Sequence, residues 1–297
     1  DALTVGTRNV AVGKDALTSD TKGSRSTALG FATLFSQNFT TATNAYNVAV
    51  GEQAGLNITT GVQNVLIGAL AGDALTDADF NIAIGHTALG LDTLGSRNIA
   101  IGHSALDAQN FTTATNSYNV AVGHAAGTGV TTGVRNSMLG GLALQSDTLG
   151  SNSVAVGYAA LNNQNLTTAT DVYNTAVGSL AGLSVTTGTL NTLIGALSGD
   201  ALTTGEGNVA LGYLALSTET VGDSSVAIGR SALANQNVTT GGDVYNTAVG
   251  HFAGRTLTTG IENTIMGGLA GDALTTGVRN VAIGKSALSA DTTGRLA

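Results

Sequence analysis

Four histidines are the side chains of this sequence best suited to proton or metal chemistry near neutral pH. His86, His103, His124 and His251 each stand five residues after an asparagine of a recurring motif. If equal positions stack, the first three form a column, and imidazoles in a column suggest a metal ladder. The same position elsewhere holds Lys14, Phe31, Glu52, Tyr158, Arg230 and Gly268, the range of an unconstrained surface site. No metal site is therefore expected.

Three other patterns invite a chemical reading. Asp-Thr-x-Gly at Asp20, Asp92, Asp147 and Asp291 suggests calcium, but the acids lie several repeats apart, so turn capping is the reading. A recurring threonine suggests ice binding, but the neighbouring row (Ser19, Asn57, Ala74, Leu91, Gly129) supplies no second line of hydroxyls. Asn38, Asn57, Asn110, Asn165 and Asn237 are formal Asn-x-Thr glycosylation acceptors, a match that arises readily in a Thr-rich repeat. No nucleophile, base and orienting group recur together, and no nucleotide-binding loop is present. Neither a catalytic residue, a cofactor nor an enzymatic activity is expected.

Composition narrows the setting. The chain has 297 residues, 42 Gly, no Pro, Cys or Trp, 10% charged residues and a net charge of −8. Such a balance argues against nucleic acid and anionic lipid as partners, since both need clustered Lys and Arg. Without cysteine there is neither a disulfide framework nor thiolate chemistry. These features fit an extracellular, cell-surface or virion protein stabilised by repetition. No apolar run approaches the ~18 residues of a membrane span, so no membrane insertion is expected. The first residue is Asp1 and no signal peptide is visible, which suggests a processed chain or a segment of a longer one.

What positions these residues is a repeat. The pentad Asn-x-Ala-x-Gly or a close variant occurs sixteen times, from Gly13 to Gly284 by its glycines. Only two intervals separate successive glycines, a short one as from Gly68 to Gly85 and a longer one as from Gly102 to Gly123. The four 21-residue coils carry an insertion that begins at Gln37-Asn38-Phe39, Gln109-Asn110-Phe111, Gln164-Asn165-Leu166 and Gln236-Asn237-Val238. Each ends at a tyrosine: Tyr46, Tyr118, Tyr173 or Tyr245. A super-repeat of four coils overlies the pattern, running from Gly30 to Gly102 and again from Gly157 to Gly229. One coil is missing near 140–157 without loss of phase. A solenoid tolerates that loss, because each coil touches only its neighbours. The expected fold is all-β: a parallel β-solenoid or β-roll of about sixteen coils, forming one repeat domain over 1–297.

We number a coil from its asparagine. Position 1 is Asn in thirteen coils and Ser in three. Position 3 is mostly Ala, position 4 always Val, Ile, Leu or Met, and position 13 Thr in every 17-residue coil. The β-branched run bounded by Asn and Gly reads as a strand, in a coil with room for two or three short strands. Stacking at about 4.8 Å turns position 1 into an Asn ladder (Asn47, Asn64, Asn81, Asn98, Asn119), with amides able to bond along the stack. Position 13 becomes a Thr ladder (Thr59, Thr76, Thr93, Thr131). In the 17-residue coils, Gly at position 9 always accompanies an apolar residue at position 12, and Leu at position 9 an acidic one. This pattern predicts one core pocket filled from either side, with the acid turned outward when Leu fills it.

The pentad strand is apolar on both faces, and a thin roll covers only one. A homo-oligomer, with a trimer as the preferred number, is expected to cover the other, the small Ala of position 3 allowing close approach. The alternative is a wider monomeric coil with its own Ala-lined core.

At Asn152-Ser153-Val154-Ala155-Val156-Gly157 and Ser224-Ser225-Val226-Ala227-Ile228-Gly229 the sequence resembles the head repeats of trimeric autotransporter adhesins. The 17-residue form with its Thr-Thr-Gly turn is similar to bacterial and phage tail-fibre repeats. The resemblance implies a left-handed β-roll wound as a trimer that binds host surfaces. The coils here are longer than the adhesin coil, and no coiled-coil stalk, basic neck or anchor is visible.

The function expected is a rigid extracellular or virion fibre, about 75–80 Å long for sixteen coils. It is self-associating, and its open ends invite end-to-end polymerisation: Asp1-Ala2-Leu3-Thr4 aligns with Asp272-Ala273-Leu274-Thr275, and Ala297 falls where the next Asn is due. The alternative is an adhesin or receptor-binding tail fibre that touches a host receptor or glycan through the insertions. Asn38, Phe39, Tyr46, Asn110, Phe111, Tyr118, Asn165, Tyr173, Asn237 and Tyr245 would then be the contact residues. The simpler role for the tyrosines is to pack the loop back onto its coil.

Overall fold

Glycine at position 5 decides how closely the coils approach. In the computed structural model, which describes residues 3–294, a Cβ added to Gly85 would lie 2.4 Å from the Gly102 carbonyl oxygen of the next coil. The backbone there has φ of +137°, a region open almost only to glycine. This is the physical reason the residue recurs every coil: each pentad glycine lets the chain turn while the next carbonyl sits against its α-carbon.

The fold is a parallel β-solenoid of about sixteen coils with no helix among the described residues. Each coil contributes a three-residue strand at positions 2 to 4; of the two or three short strands expected per coil, a second, of two residues, forms only in the 21-residue coils and the coils before them. Neighbouring strands pair parallel and in register, as Ile82, Ala83 and Ile84 do with Ile99, Ala100 and Ile101. The residues group into two compact units, 3–151 with 167–169, and 152–166 with 170–294. The first contains the eight strands from Val10–Val12 to Ser137–Leu139, the second the eight from Val154–Val156 to Val281–Ile283. Two-residue strands tie insertions to the preceding coil, as in the pairing of Gly95–Ser96 with Thr115–Asn116. Residues 1–2 and 295–297, which carry part of the end alignments noted above, lie outside the described residues.

Stacking governs the backbone between strands as well. Position 7 and the last position adopt left-handed φ in every coil whose residues there are described, although side chains other than glycine occupy nearly all of them; Thr87 (φ 52°) and Arg97 (φ 67°) are typical. A left-handed residue without glycine costs about 1–2 kcal/mol. Here it aims the N–H along the stack: Thr87 N donates to Ala69 O at 3.2 Å and Arg97 N to Asp79 O at 3.0 Å.

The core is thin and filled by exchange. Position 3 points inward, with Ala83, Ala100 and Ala121 fully buried, so the alanine row lines the chain's own interior and does not face a partner. Where position 9 is glycine, position 12 is a fully buried aliphatic (Ile58, Leu75, Val130). A third position joins this exchange. Cβ atoms on Gly55 and Gly72 would come within 2.7 and 2.8 Å of Leu66, and those on Gly182 and Gly199 within 2.8 and 2.7 Å of Leu193. The large residue at position 3 therefore occupies space that two successive glycines vacate.

Apart from Asn9, the position-1 asparagines are fully buried, and they brace two directions at once. Along the stack, Asn64 Oδ1 accepts the Asn81 backbone N–H at 2.9 Å, Asn81 Oδ1 accepts that of Asn98 at 2.9 Å, and Asn47 Oδ1 that of Asn64 at 2.9 Å. Across the coil, Asn64 Nδ2 donates to Ala78 O at 2.8 Å and Asn47 Nδ2 to Gly61 O at 2.8 Å. The main rungs are thus amide to backbone; direct amide rungs, such as Asn98 Nδ2 to Asn81 Oδ1 at 3.2 Å, supplement them. Replacing Asn64 by Ala orphans a buried N–H and a buried carbonyl. We expect a loss of about 2–5 kcal/mol, measured by denaturant unfolding.

Candidate functional site

The insertions preserve the position-13 row. Thr59 Oγ1 donates to Thr76 O at 3.3 Å, Thr76 Oγ1 to Thr93 O at 3.1 Å and Thr131 Oγ1 to Thr148 O at 2.9 Å. In the 21-residue coils the insertion asparagine takes the threonine's place. Asn38 N donates to Thr59 O at 2.9 Å, Asn110 N to Thr131 O at 3.0 Å, Asn165 N to Thr186 O at 2.9 Å and Asn237 N to Thr258 O at 2.9 Å. Asn38 and Asn237 also accept a hydroxyl from Thr21 and Thr220, at 2.9 and 3.0 Å. These asparagines hold the insertion to the stack.

Two of the aromatic residues expected to make contacts are buried. Phe39 and Phe111 are only 4% and 6% exposed, because an apolar residue must fill the space beneath each insertion. Leu166 and Val238 occupy the equivalent place. The tyrosines do the reverse of packing back: Tyr46, Tyr118, Tyr173 and Tyr245 are 46–57% exposed, on left-handed residues at the coil's end.

The position-12 acids overturn the outward expectation. Asp20, Asp92, Asp147 and Glu219 are fully buried. The Leu at position 9 and the acid at position 12 both enter the core, because the carboxylate finds donors there. Asp92 Oδ1 accepts from Gly95 N at 3.1 Å and Phe111 N at 3.0 Å, and Asp92 Oδ2 from Gln109 Nε2 at 2.6 Å. Gln109 Oε1 then accepts from Asn119 Nδ2 at 2.8 Å. The same relay runs through Asp20, Gln37 and Asn47, and through Glu219, Gln236 and Asn246. It spans three coils and clamps the root of each of these insertions.

His86, His103 and His124 form an exposed column with ring centroids 5.4 and 5.3 Å apart and planes 13° and 10° from parallel. Nitrogen lone pairs of stacked rings lie in the ring planes and do not converge. Among the described residues no group of three or more His, Cys, Asp or Glu is placed to hold a metal. Beside this column, a shallow groove is lined by Asp73, Thr87, Gly90 and Asp107. Burial pushes the Asp73 carboxyl above its ordinary range, and the Asp107 charge adds to this. Asp107 is raised for the same first reason, offset in part by His103 and His86.

The most extensive feature left for a partner is the outward face of the pentad strands. Positions 2 and 4 flank the buried position 3 and are half-buried or exposed; at position 4, Ile67 is 38% exposed, Leu139 52%, Leu211 43% and Met266 44%. Position 4 is aliphatic or Met in all sixteen coils, and no coil has a charged residue at positions 1 to 5. Eight coils at about 4.8 Å, with two side-chain rows about 7 Å apart, give each unit a stripe of roughly 270 Å², apolar throughout at position 4 and mixed with Thr and Ser at position 2. A stripe of that size approaches the range of the largest patches on monomeric proteins, about 300–600 Å². Among the described residues no helix is long and apolar enough to cross a membrane. Comparison with protein families, characterised proteins and solved structures gives no match.

Two outcomes follow for the acids. Asp92→Ala leaves Gly95 N, Phe111 N and Gln109 Nε2 unpaired in the core. It should cost about 3–5 kcal/mol in denaturant unfolding and increase proteolysis of the 109–118 insertion. For Asp73 and Asp107 the sign is opposite. Folding raises their pKa, so the ionised form is disfavoured in the fold; that penalty is full above the folded-state pKa and vanishes below the unfolded-state value near 3.8. The double variant Asp73→Asn, Asp107→Asn should melt above the wild type at pH 7, and the gap should close as pH falls towards 4.

Proposed function

We propose that this chain is a structural subunit of an extracellular or virion fibre, built by lateral association of identical copies through the apolar stripes of the pentad strands. The observation that carries the reading is the uninterrupted aliphatic row at position 4 on the solvent side of the sheet. Two stripes of roughly 270 Å² offer about 540 Å² per copy, about two thirds of the roughly 800 Å² a standard stable interface takes from each partner. A three-residue strand that leaves an outward-facing aliphatic residue or Met at position 4 of every coil has no reason to keep it for its own core. The recurrent coil suits a rigid element, because each rung is the same backbone pairing and the same asparagine brace repeated.

An adhesive fibre is the second reading. It rests on the four exposed tyrosines, which stand at the ends of the insertions and present their rings to a receptor or glycan, although the Tyr173 and Tyr245 hydroxyls donate to Asp171 and Asp243. Resemblance to adhesin head repeats and tail-fibre repeats favours both readings and separates neither.

Ile67→Glu with Leu139→Glu tests the first. Both side chains are exposed, so the solenoid should fold as before by circular dichroism and thermal melting. Sedimentation at micromolar concentration should shift from an oligomer in the wild type towards the single-chain mass in the variant. A wild type that already sediments as one chain would overturn the structural reading.

A further inference from the structure

Charged residues in this chain are not scattered. Apart from the position-12 acids, every charged residue in 3–294 lies on one of two edges that flank the pentad strand. One edge is the turn after the strand, positions 6 to 10. The other is the segment before the next strand, from position 14 to the coil's end, where the insertions sit. None of these charged residues is buried.

In the first unit the edge after the strand is acidic: Asp15, Glu52, Asp73 and Asp107 against Lys14. The edge before the strand is basic: Arg8, Lys22, Arg25, Arg97 and Arg135. Asp77 and Asp79 are its only acids among the described residues. The arginines here are held out along the column. The Arg25 guanidinium lies 5.4 Å from the Tyr46 ring centroid and that of Arg97 4.5 Å from the Phe80 ring centroid, and each donates Nε to an insertion asparagine, Asn44 or Asn116.

The second unit inverts this arrangement. Its edge before the strand is acidic, with Asp171, Glu206, Asp223, Asp243 and Glu262 against Arg279, which is already paired with Glu262 at 2.6 Å. Where the first unit places Asn44 and Asn116, the second places Asp171 and Asp243. Its edge after the strand carries Arg230, Arg255 and Lys285 against Asp200 and Asp272.

We infer that copies of this chain associate side by side, parallel and in register, with the edge after the strand of one copy against the edge before the strand of the next. This inference rests on the self-association proposed above and adds its geometry. With this pairing, acid meets base in the first unit and base meets acid in the second, each unit facing the same unit of its neighbour. The contact joins two different surfaces, so it is heterologous and closes into a ring when the rotation permits. The apolar stripe lies between the two edges on every copy and turns towards the ring's interior. An antiparallel pair would also match charges, either edge before the strand against edge before the strand or edge after against edge after. The first sets the four-residue insertions against one another, and either one leaves the remaining edge of each copy unmatched, whereas the parallel pairing uses both. Charge complementarity of this kind fixes register and orientation more than it adds affinity.

The test uses the full chain and three variants. The first reverses one edge of the first unit: Arg25→Glu, Arg97→Glu, Arg135→Glu. The second reverses the other: Glu52→Lys, Asp73→Arg, Asp107→Arg. Both charge types occur naturally at these coil positions, as Glu262 and Arg255, so the fold should tolerate them, which melting curves check. The third variant carries all six changes. Sedimentation equilibrium at low and at about 1 M salt reads the outcome. Each single-edge variant should associate at least about tenfold more weakly than the wild type at low salt, with the deficit shrinking at high salt. The six-change variant should recover wild-type association, because its edges are again complementary in the parallel arrangement. Recovery absent there, but present when the first variant also carries Asp171→Lys, Asp243→Lys and Glu262→Lys, would overturn the inference in favour of antiparallel pairing. Single-edge variants that associate like the wild type would overturn it while leaving stripe-mediated association standing. A monomeric wild type would instead remove the reading on which it rests.

Discussion

In-register stacking is the constraint on which every other feature of this molecule depends. A single coil has a three-residue strand and no internal sheet, so its backbone N–H groups find partners mainly in the coils on either side. Stacking at strand spacing then dictates residue type. Position 5 must be glycine where the next carbonyl would collide with a Cβ. Position 1 must offer an acceptor to the next coil's N–H and a donor to its own far side, and asparagine supplies both from one short side chain. Position 7 and the coil's last position accept an unfavourable left-handed backbone because the alternative is a buried N–H with no partner, the larger cost.

Much of this was legible in the sequence because a repeat multiplies weak signals. One Asn-x-Ala-x-Gly says little; sixteen at two allowed spacings define a coil, its strand and its ladders. The diversity of side chains at the histidine position, from Lys14 to Gly268, likewise marked it as surface. What remained hidden was direction. Alternation in a strand of three tells which residues share a face but not which face is inside, and a strand apolar on both sides withholds the usual contrast. The alanines therefore suggested a docking face, whereas the core takes them because it is thin, and the bulkier Val, Ile and Leu stay outside.

The burial of the acids is hidden in the sequence for a different reason. Within one coil, an acid at position 12 beside a core leucine at position 9 has no evident partner. The partner is in the next coil. Asp20 and Gln37, Asp92 and Gln109, Asp147 and Gln164, Glu219 and Gln236 are each separated by the short coil interval itself. That spacing is visible in the sequence, and it marks an acid as the base of the following insertion rather than as a tolerated surface residue. Burying a carboxylate is costly unless donors meet it. Here two backbone N–H groups and a glutamine meet Asp92, so the cost is offset where the chain needs a fixed root for an irregular loop.

The separation of labour among positions has a functional consequence. Positions that face neighbouring coils are nearly invariant, because a change there must be matched above and below. Positions 2 and 4 face outward, where the coil itself imposes no such match, yet position 4 never leaves the aliphatic class and Met, and position 2 admits only Val, Ile, Thr and Ser. Neighbouring outward columns behave differently: position 6 ranges over Lys, Glu, His, Phe and Gly, and the last position over Arg, Tyr, Glu and Gly. Strand propensity favours Val, Ile and Thr alike, which accounts for position 2 but not for the absence of Thr from position 4. The apolar restriction on the pentad face is what the proposed self-association would account for. A second copy would present the same rows at the same spacing, so its periodicity would match that demand by construction.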